Sequence, residues 1–188
     1  FRAMVEARNA VMNLVGPATL PDFWRRHALD SAQLVFHVEH TGDTRSGLTW
    51  ADLGAGAGFP GVVLAILLKG RPGAKIWLVD SLTKRCVFLE EVVKALELPA
   101  EVVNARAETV DIPVQIVTAR ACAPMVKLLG FAEPWFRRGA QGLFLKGEGA
   151  AEEIEAARAA WRFAPEILPS VSDPRGRIVR IRRLARVR

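Results

Sequence analysis

The 188-residue chain is 51% hydrophobic and 24% charged, a globular composition that excludes disorder and suits one α/β domain with a short helical extension. Its longest dense apolar run, Val62 to Leu68, is far too short to span a bilayer, and Phe1-Arg2 opens no apolar leader, so neither a membrane anchor nor a secretory segment is expected. Net charge is +6, but seven arginines and no acid lie between Arg175 and Arg188, which leaves the other residues at −1; such a cluster is either the footprint of a polyanion or a solvated edge strand and tail.

Helical spacing runs from Val5 to Val15 and breaks at Gly16-Pro17. Pro21 and Asp22 open a long amphipathic helix whose apolar or small positions are Trp24, Ala28, Ser31, Leu34 or Val35, and Val38; the polar stretch Thr41 to Gly47 ends it. Residues 1–46 are thus expected as a helical extension and 47–188 as the main domain. Leu48 to Leu53 reads as a buried strand, followed by a glycine-rich turn and a helix from Pro60 to Leu68. Lys75 to Val79 is a strand, and Ser81 an expected N-cap for a helix reaching Leu96. Further strands are expected at Glu101 to Asn104, Gln115 to Thr118 and Gly142 to Lys146, with helices starting at Pro124 and covering Ala150 to Trp161. Arg162 to Leu168 and Arg177 to Arg182 close the chain as strands without a helix between them, which predicts an antiparallel hairpin. Strands alternating with helices imply parallel crossovers and a doubly wound α/β sheet.

The turn Asp52-Leu53-Gly54-Ala55-Gly56-Ala57-Gly58-Phe59-Pro60-Gly61 joins the first strand to the next helix, where glycine lets backbone approach a ligand. The second strand ends in Asp80, placed to accept hydrogen bonds from a ribose. The pair points to an adenosyl or dinucleotide cofactor. Gly56, Gly58 and Gly61 also satisfy the dinucleotide pattern G-x-G-x-x-G, so a nucleotide-dependent oxidoreductase is the rival reading. A pyrophosphate over this turn favours amide donors with no adjacent carboxylate. Asp52 stands immediately before the glycines, and an acid attracts the sulfonium and ammonium of S-adenosylmethionine, which the sequence therefore favours. Cys86 and Cys122 lie far apart with no metal-like spacing and fit free thiols in a reducing cytosol.

Several segments, in order over most of the chain, resemble one family, the bacterial 16S ribosomal RNA guanine-N7 methyltransferases, also known as glucose-inhibited division protein B. They are Asn13-Leu14, Arg26-His27-Ala28-Leu29-Asp30-Ser31, Asp52 through Gly61, Leu78-Val79-Asp80-Ser81 with Lys84-Arg85, Arg106-Ala107-Glu108, Thr118-Ala119-Arg120-Ala121 and Leu145-Lys146-Gly147. The resemblance implies a class I S-adenosylmethionine-dependent methyltransferase, a Rossmann-like doubly wound sheet with a short N-terminal helical extension. It implies an enzyme acting on the N7 of a guanine in the decoding-region loop of small-subunit RNA, and leaves open whether as free RNA, assembly intermediate or 30S subunit; a cytoplasmic monomer is the expectation. Members carry a further stretch upstream, so Phe1 is expected to begin a trimmed chain. Carried over, Gly54, Gly56, Gly58 and Phe59 would contact the cofactor, with Asp52 beside them. Asp80 would address the ribose, Ala107 and Glu108 the adenine edge, and Arg120 the floor of the pocket.

Guanine N7 carries a free lone pair, so no general base is required and no catalytic side chain is expected; positioning supplies the rate. Arg25, Arg26, Lys84, Arg85 and Lys146 are candidates for a basic rim that holds RNA phosphates, against the reading of ordinary helix-surface charges. His27 reads as a structural histidine with Asp30 as its polar partner. Arg120 follows an apolar strand and needs an anion, either Glu108 or a cofactor carboxylate. Trp24 and Trp135 are candidates for base stacking. A cofactor-bound RNA-binding module without catalysis is the remaining alternative.

Overall fold

The computed structural model describes residues 1–38 and 47–187. The polar stretch expected to end the second helix lies, except for Gly47, outside the described residues. Helix α1 (Arg2–Met12) stops where Asn13 turns left-handed (φ 48°) and donates back to the Asn9 carbonyl. The second helical stretch, α2, changes pitch along its length: Trp24–Leu29 is wound as a π-helix, Asp30–Ala32 as α and Gln33–His37 as 3₁₀. Its wide first turn moves the buried face to Phe23, His27, Ser31 and Leu34. Trp24, expected on the apolar stripe, is consequently turned outward and 66% exposed.

The sheet is built from β1 (Thr49–Leu53), β2 (Lys75–Asp80), β3 (Ala100–Asn104), β4 (Ile116–Arg120), β5 (Gln141–Lys146), β6 (Trp161–Pro169) and β7 (Arg177–Arg186). Their order is β3-β2-β1-β4-β5-β7-β6, parallel except for β7, which runs antiparallel to both β5 and β6. The crossover helices are α3 (Gly61–Leu68), α4 (Thr83–Ala95), α5 (Met125–Arg137) and α6 (Ala150–Ala157). The period-two alternation of strands divides the core. Trp50, Ile76, Leu78, Leu143, Leu145 and Ile178 point toward α3, α4 and the N-terminal helices. Ala51, Leu53, Val79, Phe144, Val179 and Ile181 point toward α5 and α6. Val5, Phe23, Leu34 and Val38 of the extension are part of the first of these cores.

Three local expectations change. Ser81 does not cap α4; Leu82 holds that position, and its amide donates to the Asp80 carboxylate instead. Trp161 begins β6 rather than ending a helix, because α6 stops at Ala157. The arginine-rich final segment is no edge strand: β7 lies between β5 and β6, and β6 is the edge.

Candidate cofactor turn and RNA cavity

The strand order reverses between β1 and β4, the switch point at which open α/β sheets bind ligands. The glycine turn stands there. The amides of Gly54 and Ala55 both donate to the Val79 carbonyl, at 2.9 and 3.0 Å, tying the turn to β2. Gly54 is left-handed (φ +67°), and a Cβ on it would fall 2.7 Å from Cys122 Sγ, in the loop after β4. Gly61 opens α3 so close to the sheet that a Cβ would come within 2.3 Å of Leu78 Cδ2 and 2.7 Å of Asp52 Oδ2. These two glycines are therefore required by close approach inside the fold.

The two acids flanking the turn are held differently. Asp80, 4% exposed, accepts from the Gly56 amide (2.9 Å) and the Leu82 amide (2.8 Å) and pairs with Arg85 at 3.7 Å. Its carboxylate thus fixes both the middle of the turn and the start of α4. Asp52 is wholly buried behind the turn; Oδ2 accepts from the Gly61 amide (2.8 Å), whereas Oδ1 has no partner. Burial pushes its pKa up to about 7, against the opposing pull of the Gly61 amide and Arg120. Ala107 and Glu108 lie on a 3₁₀ turn after β3, with Glu108 exposed, and the Ala105 amide joins that segment to the Asp80 carbonyl at 3.1 Å.

Arg120, at the end of β4, is the hub that joins the sheet to the extension. Its guanidinium donates to the Arg26 carbonyl (3.0 Å) and to His27 Nδ1 (3.0 Å), reaches Asp30 at 3.4 Å and lies 4.8 Å from the Phe59 ring centroid. Within the chain its anion is Asp30 and not Glu108, the first of the two partners expected, the other being a cofactor carboxylate. Arginine can only donate, so His27 Nδ1 accepts and its proton sits on Nε2, 2.8 Å from Thr19 Oγ1. Thr19 in turn donates to the Gly16 carbonyl at 2.7 Å. Burial, then Arg120 and Arg26, lower the His27 pKa to about 4, which keeps the ring neutral. Phe59, 3% exposed, is stacked on His27 (4.8 Å, 25°) and flanked by Phe1 and Phe23. It anchors the extension on its buried side.

A cavity of about 910 Å³ opens at the carboxyl ends of β4 and β5. Arg26, His27, Arg120, Cys122, Lys146 and Ser172 are among its walls. Cys122 separates it from Gly54 of the turn. The turn between β6 and β7 forms one wall and is clasped to α2. Ser172 Oγ donates to Asp30 Oδ1 (2.6 Å), the Val171 amide to Gln33 Oε1 (2.9 Å), and Arg25 Nε to the Ser172 carbonyl (2.7 Å). Burial raises the Cys122 pKa to about 11, so its thiol stays protonated.

The five candidate phosphate contacts fall into two groups. Arg26 and Lys146 line the cavity and Arg25 lines a smaller one of about 230 Å³ that shares Arg26 and Ser172 with it, whereas Lys84 and Arg85 stand on the first turn of α4 beside Asp80. Lys146 is drawn inward, 8% exposed, onto the Ala123 carbonyl (2.8 Å) and Glu153 (2.7 Å). Arg26 is half exposed and pairs with Asp173 at 3.5 Å. Much of the C-terminal arginine cluster is neutralised within the fold: Arg180 pairs with Glu166 through two bonds, and Arg186 pairs with Glu133 while covering the Trp161 ring. Trp135 is unavailable for stacking, being 1% exposed with its indole N–H on the Ile112 carbonyl. Sequence reasoning missed Ser172, Thr19 and Glu153, whose positions beside α2 and α5 depend on tertiary closure; Asp30 was visible, but only as a partner for His27.

The reversed strand order, the inserted antiparallel β7, the glycine turn after β1 and the acid ending β2 define a class I methyltransferase fold. A SAM-dependent methyltransferase from Aquifex aeolicus superposes with a TM-score of 0.64 at 16% identity, covering 96% of this chain and 97% of that one. The MtNAS mutant bound to S-adenosylmethionine superposes with a TM-score of 0.63 at 14% identity, covering 97% of this chain and 72% of that one. The family model GidB, rRNA small subunit methyltransferase G, matches residues 1–178, and the chain belongs to that family. Among its relatives, ribosomal RNA small subunit methyltransferase G of Caulobacter vibrioides is 60% identical over 100% of this chain and 84% of its own length. The protein of the same name from Parvibaculum lavamentivorans is 43% identical over 98% of this chain and 80% of its own length.

Proposed function

We propose that this protein transfers the methyl group of S-adenosylmethionine to the N7 of a guanine in the decoding-region loop of 16S ribosomal RNA. The observation that carries the reading is the adjacency of two sites at one end of the sheet. The glycine turn with Asp80 lies on one side of Cys122, and an open cavity rimmed by Arg26 and Arg120 lies on the other. The residues fit the cofactor: the turn brings bare backbone to the switch point, and buried Asp52, with one unpartnered oxygen, favours a cationic ligand over a pyrophosphate. That disfavours the oxidoreductase reading. Gly54, Gly56 and Gly58 would line the cofactor, Asp80 would orient its ribose, and Ala107 and Glu108 would border its adenine. When bound, S-adenosylmethionine supplies a methyl group made electrophilic by positively charged sulfur.

The chain's own task is to bring N7 into line with that methyl and exclude alternatives. Neither His27 nor Cys122 on the cavity wall is suited to act as a base: His27 Nδ1 is occupied by Arg120, and the Cys122 thiol remains protonated. None is required, since the N7 lone pair attacks directly. Because the A-form major groove is deep and narrow, N7 is reached in a loop. Arg25, Arg26, Lys84, Arg85 and Lys146 would hold phosphates at this end, and exposed Trp24 would offer a stacking face. The protein works as a cytoplasmic monomer on small-subunit RNA, with residues 1–46 as its helical extension; among the described residues no helix is long and apolar enough to cross a membrane. Incubating the protein with labelled S-adenosylmethionine and small-subunit RNA, then mapping the product, tests the proposal. A single N7-methylguanine in the decoding region is expected. Cofactor and RNA binding without transfer would leave the non-catalytic binding module as the better reading.

A further inference from the structure

The opposite end of the sheet carries a second concave basic surface. A groove of about 960 Å³ runs along the amino ends of β4 and β5 and the far end of the β6–β7 hairpin. Four of its lining residues are Arg137, Arg162, Arg182 and Arg183, and no aspartate or glutamate lines it. Arg137 and Arg182 pair with Glu133 and Glu166, each of which is shared with a second arginine, Arg186 and Arg180. The side chains of Arg162 and Arg183 are exposed and make no hydrogen bond or ion pair among the described residues. The groove owes its shape to edge strand β6, whose register breaks between Phe163 and Pro165, so that Ala164 bulges at its wall. The arginines of the β6–β7 hairpin therefore divide by contact: some close the fold, and the side chains of Arg162 and Arg183 stay unpaired.

We infer that this groove binds the sugar–phosphate backbone of a second RNA segment, at a distance from the nucleotide presented to the cavity. The inference rests on the rRNA-methyltransferase reading above. The partner class follows from charge: a concave, acid-free surface with two unpaired guanidinium forks suits phosphate oxygens, which arginine binds in bidentate fashion. The separation follows from the strands. Groove and cavity lie at opposite ends of β4, five residues long, so about 17 Å of sheet lies between them. A short hairpin inserting its loop into the cavity does not reach around that sheet, whereas a folded RNA with several helices does. The substrate class this selects is structured small-subunit RNA.

The test uses the double variant Arg162→Ala/Arg183→Ala in the full chain, with unchanged thermal midpoint and S-adenosylmethionine affinity as folding controls. Binding is measured by filter retention across a salt series with full-length naked small-subunit RNA, with protein-bearing small subunits and with a hairpin carrying the target loop; methyl transfer is followed in parallel. On the full-length RNA the variant is expected to bind about tenfold more weakly, with a log–log salt slope smaller by nearly two, one phosphate per arginine. Hairpin binding and kcat should stay at wild type. Unchanged affinity and slope on full-length RNA would overturn the inference, as would an equal loss on the hairpin, which would place the arginines near the loop. A loss seen only with protein-bearing subunits would assign the groove to an acidic ribosomal protein and also overturn it. Wild-type protein that binds both RNAs yet transfers no methyl would instead remove the functional reading, while the salt slopes still decide the groove.

Discussion

Asp52 and His27 titrate in opposite senses, and their effects on stability oppose each other. Asp52 rises from 3.8 to about 7 on folding, so between those values the native state holds a proton that the unfolded chain has released. Its favourable contribution is complete below about pH 3.8 and is lost as pH climbs through about 7. His27 falls from 6.5 to about 4, so acid favours the unfolded chain and stability grows as pH rises through that window. Asp52→Asn should remove the first component and leave the second, so its thermal midpoint should climb more steeply than wild type between about pH 4.5 and 6.5. His27→Gln should fall over the same range. A parallel pair of Asp52→Asn and wild-type curves, recorded by calorimetry, would show that the Asp52 carboxyl titrates as in water. Asp80 is a separate case. Because it already holds two amides and Arg85, Asp80→Ala should weaken S-adenosylmethionine by roughly 1.5–3 kcal/mol and also loosen the turn. Asp80→Asn keeps an acceptor oxygen and should retain more of the affinity, which isothermal titration of both variants will show.

At the scale of elements, the strands and crossover helices were readable because their alternation depends on local pattern alone, and most bounds fall within a residue or two of expectation. What local pattern could not reveal was the winding of α2. Trp24 and Phe23 look equivalent as apolar residues; in the fold Phe23 faces the core with His27, which stacks on Phe59 and meets Arg120. The glycine turn and Asp80 were legible as chemistry, and Asp52 as an acid beside the turn; its complete burial, with one oxygen held by the Gly61 amide, was not. Asp30 was not foreseen as a partner of Arg120 because it is 90 residues away and only packing of α2 brings the two together. Asp30 also accepts from Ser172, so it joins α2 to β4 and to the β6–β7 turn. Asp30→Ala should cost about 2–4 kcal/mol, since it leaves a largely buried guanidinium without its anion. It should also speed proteolytic cleavage between β6 and β7. Denaturant melts and limited proteolysis would reveal it; Ser172→Ala, which spares Arg120, should loosen the turn with a smaller loss of stability.

For the whole molecule, the position of β7 has a consequence in time. β6 leaves the ribosome before β7, yet it touches the sheet only through β7. At ordinary rates of synthesis, the interval from Pro169 to Arg186 lasts about one to three seconds. During it β5 is an uncovered edge, β6 has no partner, and the β6–β7 turn that clasps α2 has no support. A chain cut after Gly176 should accordingly aggregate or open at its amino-terminal helices, and sedimentation together with protease mapping would detect either. A soluble, protected fragment would show that the hairpin is dispensable. The proposed RNA cavity takes a wall from this late hairpin, so on that reading the nascent protein gains its grip on substrate only when its own translation is nearly over.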